Sequence, residues 1–371
     1  MEFRLIREHE LKEAAFLAEE VFCDNGERYM EYSFPSLFRP GVSHSYAAFS
    51  DQGKLVSFIG MVPVMIHSGK ARISAYSIGA VCTEQAYRGQ GIARKLLTLC
   101  QQHAKEAGAS LMFISGDIPL YTKAGSMTFG KSEKYSIHAN AAEQLENQPT
   151  TWTYSEMEPQ DLFAIHALIL QNPAAIQWGI TELAQFIGAS PMANIYQMNQ
   201  YVRVARTSEQ EIVAIAVFAI PRVDSPDRAG MLVEYAGLPS AVTALISHSF
   251  TQFEIESLSV TIPWQDKELA NLLQSVHANV EQQANAGTVL IVDGATLITQ
   301  AGYDISTTNE TAISILPDGR YKLHTQHKSS VIGGNPELCS LLFNPDSDVD
   351  QLEDTNLPTI ALPYMYGLYF I

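Results

Sequence analysis

The sequence predicts an α/β protein of mixed α+β sheets in two or three domains, and three observations carry this. Short runs of strand-forming residues alternate with stretches whose apolar positions recur every three or four residues. The order of these elements runs through twice. And 371 residues exceed what one ordinary hydrophobic core organises.

The first block covers residues 1–147. A strand at Phe3–Ile6 precedes a helix over Glu8–Val21, and a second helical stretch, Tyr29–Leu37, stops before Pro40. His44–Ser50 and Leu55–Ile66 read as strands joined by the turn DQGK. Tyr76–Thr83 (YSIGAVCT) has the composition of a buried strand. Ile92, Ala93, Leu96, Leu97, Leu99, Cys100 and Ala104 then trace one helix face, and strands at Ser110–Ser115 and Ser132–Asn140 follow.

Residues 148–286 repeat the plan. WTYSEM leads to helices at Asp161–Gln171 and Glu182–Ile187 and to strands at Tyr201–Arg206, Ile212–Pro221 and Met231–Gly237. A helix over Ala241–Phe253, a strand at Leu258–Ile262 and a helix at Asp266–Val276 close the block. Residues 287–371 offer a strand and short helix in TVLIVDGATLI and a hairpin turning at Pro317-Asp318-Gly319. A helix in NPELCSLLF, capped by Asn335, an acidic linker (NPDSDVDQLEDTN) and an apolar tail (LPTIALPYMYGLYFI) complete it.

The chemistry gathers in YRGQGIARKLL, residues 87–97. The first N–H groups of a helix lack intrahelical partners, and the helix dipole places partial positive charge there. Gly89 and Gly91 remove the Cβ atoms that would hold a phosphate away. No Lys-Ser/Thr follows, so this is not a P-loop, and the spacing is not GxGxxG. The pattern Arg88-x-x-Gly91-x-Ala93 resembles the acetyl-coenzyme A loop of the GNAT N-acetyltransferases, and the flanks in GAVCTEQAYRGQGIARKLL resemble their strand, loop and helix. With the repeated plan, the whole chain resembles the enhanced-intracellular-survival (Eis-like) acetyltransferases. That resemblance implies tandem GNAT-like domains, 1–147 with acetyl-CoA and 148–286 without cofactor, and a small C-terminal domain, 287–371, like a shortened sterol-carrier fold.

The resemblance also implies roles. Val81, Cys82 and Thr83 would pair through backbone atoms with the pantetheine arm. Arg88, Gly89, Gln90, Gly91, Ile92 and Ala93 would hold the pyrophosphate, with Gly116 and Asp117 as further cofactor contacts. Tyr121, in SGDIPLYTKAG, stands where the family carries its general acid, and a phenol with a reference pKa of about 10 can protonate a thiolate. Ser126 departs from the aromatic-glycine pair usual after that tyrosine. The strand before the loop has no carboxylate, and the resemblance implies that the C-terminal carboxylate of Ile371 is the general base. Transfer would go directly from acetyl-CoA to a primary amine of a small cationic molecule. A peptide acetyltransferase or a non-catalytic coenzyme A sensor are the alternatives.

Composition sets outer limits. Net charge is −17, which argues against nucleic acid. Residues 1–148 carry 15 Lys and Arg against 16 Asp and Glu, and residues 149–371 carry 8 against 24, so the half with the loop is the half that does not repel a polyanionic cofactor. No apolar run of about 18 residues suggests a membrane span, and the charged N-terminus lacks a signal-peptide core. Cys23, Cys82, Cys100 and Cys339 have no CxxC spacing, and the ten histidines show no metal spacing. Free thiols, a cytoplasmic location and no metal are expected, and an assembly of identical chains is left open. Because EYAGLPSAV, at the second block's equivalent of the loop, lacks the glycine platform, calorimetric titration should give one coenzyme A per chain; two per chain would overturn this reading.

Overall fold

The computed structural model describes residues 1–23, 28–146, 152–225, 227–303, 311–325, 329–347 and 359–371. Most of the acidic linker expected after Phe343 lies outside the described residues. The described chain forms two compact units: Met1–Gly130 with Ala286–Met365 and Ile371, and Lys131–Asn285 with Tyr366–Phe370.

The first unit opens with β1 (Glu2–Leu5), α1 (Leu11–Phe22), α2 (Met30–Ser33), α3 (Pro35–Phe38), β2 (Tyr46–Phe49) and β3 (Leu55–Ser68). β4 (Ala71–Thr83), α4 (Ile92–Glu106), β5 (Leu111–Ile114) and α5 (Pro119–Thr122) follow. The single helical stretch expected over 29–37 is two short helices. Phe34, at φ −123° and ψ 61°, leaves the helical region before Pro35, as a residue preceding proline is pushed to do. β4 starts five residues earlier than expected, because Ala71, Ile73 and Ala75 already alternate inward.

The second unit holds β6 (Ser132–His138), α6 (Ala139–Glu146), β7 (Thr153–Glu156), α7 (Leu162–Ile169), β8 (Ala174–Ile176), α8 (Ile180–Ala189) and α9 (Pro191–Ile195). Then come β9 (Met198–Arg206), β10 (Ile212–Pro221), β11 (Ala229–Gly237), α10 (Pro239–Phe253), β12 (Ser257–Pro263), α11 (Lys267–Ser275) and β13 (Asn279–Gln283). Its sheet runs β13-β6-β12-β11-β10-β9-β7. Tyr135, Phe218, Leu245, Ile246, Val260 and Leu273 centre its core.

The chain then returns to the first unit with β14 (Thr288–Ile291), α12 (Gly294–Gln300), β15 (Thr311–Ile315), β16 (Tyr321–Thr325), β17 (Ser329–Gly333) and α13 (Asn335–Phe343). That unit's main sheet runs β1-β2-β3-β4-β5-β14, and β15-β16-β17 form a separate small one. Ile59, Met61, Ile78, Leu96, Leu97, Cys100 and Met112 lie in one buried cluster, so the stripe read on α4 faces the sheet.

Two expectations are corrected by pairing. Ser132–Asn140, expected as the last strand of the first block, is β6, antiparallel to both β12 and β13 in the second sheet. Alternation announces a strand but not its neighbour. Residues 287–371, expected as a domain of their own, are instead divided: 287–365 and Ile371 belong to the first unit, where β14 pairs antiparallel with β5 and Val289 bridges Met127, and Tyr366–Phe370 belong to the second. All four β14 residues are buried, so removing them would expose an apolar edge. β13 escaped notice because NVEQQ is exposed at its first four positions and shows no apolar alternation.

Glu234 on β11 is half-buried, and desolvation pushes its carboxyl pKa up to about 7. Backbone N–H groups of Leu368 and Tyr235 donate to it and offset part of that cost, while Asp266 adds to it. Below about 4.5 the carboxyl is protonated in the folded and unfolded chain alike and costs nothing. As pH rises towards 7 the unfolded chain ionises first, so stability falls, by at most about 3 kcal/mol. Thermal unfolding between pH 5 and pH 8 should therefore show Glu234→Gln losing less stability than the parent; parallel curves would refute the assignment.

Candidate active site

The site starts where two parallel strands part. β4 and β5 pair from Ala75/Leu111 to Ile78/Ile114 and no further, while β4 continues to Thr83. On its other edge β4 keeps its partner β3, with one shift of register between Phe58 and Gly60. Ala80 stands at that irregularity with φ +47°, a conformation that costs a residue with a Cβ and is typical of functional bends. Beyond Ile78 the edge of β4 towards β5 is open. Ser57 Oγ donates to the Cys82 carbonyl at 2.9 Å, and the Glu84 N–H reaches the Val56 carbonyl. Cys82 is thus turned towards β3, and alternation leaves the backbones of Val81 and Thr83 facing the opening. Of the three residues expected to pair with an extended amide chain, two have that orientation. The Cys82 thiol is buried, and burial pushes its pKa up to about 12, so it is not a nucleophile.

Next comes the glycine turn. Arg88 is anchored by its Nε donating to the Thr83 carbonyl at 3.0 Å. Gly89 and Gly91 have φ of +77° and +76°, and nothing lies within 4 Å of where a Cβ would sit on either. Both glycines are needed for their backbone angle, and both face open space. The first bond of α4 runs from Lys95 N–H to the Gly91 carbonyl. The N–H groups of Ile92, Ala93 and Arg94 therefore have no intrahelical acceptor. Ile92 is buried and fixes the helix start, while Arg88, Gly89, Gln90 and Gly91 are exposed. Unpaired N–H groups, the helix dipole and nearby Arg88, Arg94 and Lys95 suit a pyrophosphate.

Past β5 the chain makes a tight bend, with Gly116 N–H donating to the Ile114 carbonyl and Thr288 Oγ1 donating to the Gly116 carbonyl. A Cβ on Gly116 would touch the Tyr121 ring at 3.4 Å. Asp117 is exposed. Tyr121, in α5, is buried, and burial alone pushes its pKa up to about 12. Among the described residues its hydroxyl has no hydrogen-bond partner. It is a neutral phenol with a proton to give. Ser126, whose N–H bonds the Tyr121 carbonyl, carries a buried hydroxyl that is likewise unsatisfied.

Ile371 is buried, and its carbonyl group presses on β4: a Cβ on Gly79 would lie 2.1 Å from it. Gly79 is the first residue beyond the paired part of β4, and the Ile78 carbonyl accepts from Ser115, next to Gly116. The carbonyl group of Ile371 and the bend that leads to Tyr121 thus meet the same fork. Sequence reasoning passed over Gly79. The available signal was a glycine inside an apolar strand, which marks a close approach of backbone.

The second unit repeats the fork without the turn. β11 and β12 pair in parallel only from Ala229/Ser257 to Met231/Ser259. Gly237, at φ +103°, would push a Cβ to 2.2 Å from the Val213 carbonyl, so it is a glycine for the sake of β10. Pro239 at the first helical position deletes an N–H. The cavity there, about 520 Å³, is lined by Tyr235, Leu238, Pro239, Asp266 and Glu268. Its carboxylates are wrong for a phosphate. No group of three or more His, Cys, Asp or Glu is placed to hold a metal among the described residues, and none of their helices is long and apolar enough to cross a membrane.

Gly91→Asp should strain the backbone and set a carboxylate against the anion. Coenzyme A affinity by calorimetry should fall by about 10²-fold, the scale of one or two charge-assisted hydrogen bonds; unchanged affinity in a folded variant would refute the placement.

Residues 2–127 match the family described as the acetyltransferase (GNAT) domain. A comparison with curated proteins finds no match. Among solved structures, a probable N-acyltransferase of Enterococcus faecalis is 17% identical, with a TM-score of 0.68 over 90% of this chain and 85% of that one. Eis1 from Mycobacterium abscessus is 13% identical, at 0.61 over 91% and 86%. N-myristoyltransferase of Saccharomyces cerevisiae, bound to myristoyl-CoA, is 11% identical, at 0.50 over 78% and 81%. At such identities the structures speak for the fold alone. The family match over the glycine turn and its two flanking strands speaks for the chemistry: this chain carries a GNAT acetyltransferase domain over residues 2–127 and is an acetyltransferase.

Proposed function

We propose that the chain transfers an acetyl group from acetyl-CoA to a primary amine of a small cationic molecule, directly, within one ternary complex. The observation that carries the reading is the turn at Arg88–Ala93, whose glycines face open space at the start of α4. The pyrophosphate rests on that turn, and the pantetheine arm lies along the open edge of β4 at Val81 and Thr83. The thioester then reaches the fork near Gly79 and Gly116. A coenzyme A thioester as donor agrees with the myristoyl-CoA bound in the yeast neighbour.

Chemistry follows from the groups at the fork. The amine nitrogen attacks the thioester carbon, the carbon–sulfur bond breaks, and the thiolate takes the Tyr121 proton. The carboxylate of Ile371 receives the proton that the amine loses. Holding amine and thioester in line supplies much of the acceleration. The buried, inert Cys82 speaks against an acetyl-enzyme. The tandem arrangement, with a second GNAT-like unit that holds no coenzyme A, belongs to the same proposal. The acidic balance of residues 149–371 favours a cationic acceptor.

The test is coenzyme A release measured against a panel of aminoglycosides, polyamines and lysine-containing peptides. Turnover with small amines supports the reading, turnover with peptides alone would replace it with a peptide acetyltransferase, and no turnover with tight coenzyme A binding would make the protein a sensor. Tyr121→Phe should lower kcat by about 10²–10⁴ with little change in coenzyme A affinity. Gly79→Ala, which displaces Ile371, should cost about 10²-fold in turnover. A fall of less than about threefold in either would remove that residue from the mechanism.

A further inference from the structure

At the other end of α4, about 16 Å along the helix from Ile92, four side chains converge that the acetyl-transfer reading does not use: His44 before β2, Tyr46 on β2, Tyr76 on β4 and His103 on α4. His44 Nδ1 lies 3.2 Å from His103 Nε2 and 3.2 Å from the Tyr76 hydroxyl oxygen. That oxygen is 3.4 Å from His103 Nε2. The three heteroatoms form a nearly equilateral triangle.

Protons do not fill this triangle. A ring nitrogen carries either a hydrogen or a lone pair, never both. One nitrogen must donate and the other accept, and the single N–H then has to serve two edges, towards nitrogen and towards oxygen. The tyrosine proton covers the third. Three short contacts share two protons, whereas one cation at the centre would satisfy three lone pairs together.

The edge lengths select the cation. An ion held tetrahedrally at about 2.0–2.1 Å spaces its donors about 3.3–3.4 Å apart, whereas right-angled coordination at the same bond length spaces them about 2.9 Å apart. The observed 3.2–3.4 Å edges are tetrahedral. Two imidazoles and a phenol suit Zn²⁺. The far nitrogen of His103, Nδ1, lies 3.3 Å from the Tyr46 hydroxyl, the kind of outer hydrogen bond that fixes the tautomer of a ligating imidazole. The His103 ring stands edge-on to His44, Tyr46 and Tyr76, at 76–89°. Both histidines are half-buried, so an ion can reach them.

We propose that His44 Nδ1, His103 Nε2 and the Tyr76 hydroxyl oxygen form a Zn²⁺ site with a fourth position open to solvent, oriented by Tyr46. The ion ties the approach to β2, strand β4 and the last turn of α4 together, away from the acyl donor. No spacing announces it, because its donors stand at positions 44, 76 and 103, and one of them is a tyrosine.

The test uses the full chain, stripped with a chelator, titrated with Zn²⁺ by calorimetry and with Co²⁺ by absorption spectroscopy. One Zn²⁺ per chain, the intense visible band of tetrahedral Co²⁺ and a Tm raised by Zn²⁺ are expected. His44→Ala or His103→Gln should abolish all three. Tyr46→Phe, which removes one oxygen, should weaken Zn²⁺ about 10–100-fold, and Tyr76→Phe should remove the tetrahedral band. Absence of saturable Zn²⁺ binding, a six-coordinate Co²⁺ spectrum, or binding indifferent to both histidine substitutions overturns the proposal. If the histidine variants fail to fold, unchanged affinity in both tyrosine variants overturns it as well.

Discussion

The architecture of the first unit depends on a separation. β4 and β5 hold each other through Ile78 and Ile114 and then diverge. The glycine turn, the start of α4 and the bend before Tyr121 all lie beyond that point. The divergence leaves one edge of β4 without a partner, and an unpaired strand edge is normally a liability. Here β3 keeps the other edge in register, the shift at Ala80 turns the strand, and the following helix presents its N–H groups beside it. One parted pair of strands thus leaves an open strand edge, a helix start with unpaired N–H groups beside it and a gap into which Ile371 is pressed.

The glycines in this protein do different work in similar surroundings. Gly89 and Gly91 adopt left-handed angles and look out onto open space. Gly237, also left-handed, looks onto the carbonyl of Val213. Gly79 has an ordinary strand conformation and is a glycine only because Ile371 occupies the position of its side chain. What separates these glycines is therefore the space in front of them, open at Gly89 and Gly91 and filled at Gly79 and Gly237. Where the first fork offers arginine and bare N–H groups, the second offers Pro239, Asp266 and Glu268.

This explains which parts were legible in the sequence. The glycine turn at 88–93 was readable as a turn because its signal is local, six consecutive residues at the mouth of an amphipathic helix. The burial of Cys82 was readable from the composition of Tyr76–Thr83. The membership of β6 and of residues 286–365 was not, because period-two alternation says that a strand is half-covered without saying by what. Nor was the gathering of His44, Tyr76 and His103, which two strand pairings and a helix bring together from three separate stretches. Nor could the sequence say which of Val81, Cys82 and Thr83 turn their backbone to β3, because that depends on the register with β3.

The pairing of β14 with β5 has a temporal side. A ribosome delivers β5 early, but the strand that covers its outer edge is encoded only after residues 131–285. At about 5–20 residues per second, roughly 9–35 s pass before that partner emerges. During this interval the nascent first unit carries an uncovered apolar strand, whereas the whole second unit except its short tail segment is already outside. The inserted unit is thus placed to fold first, and the unit that is begun earlier is finished later.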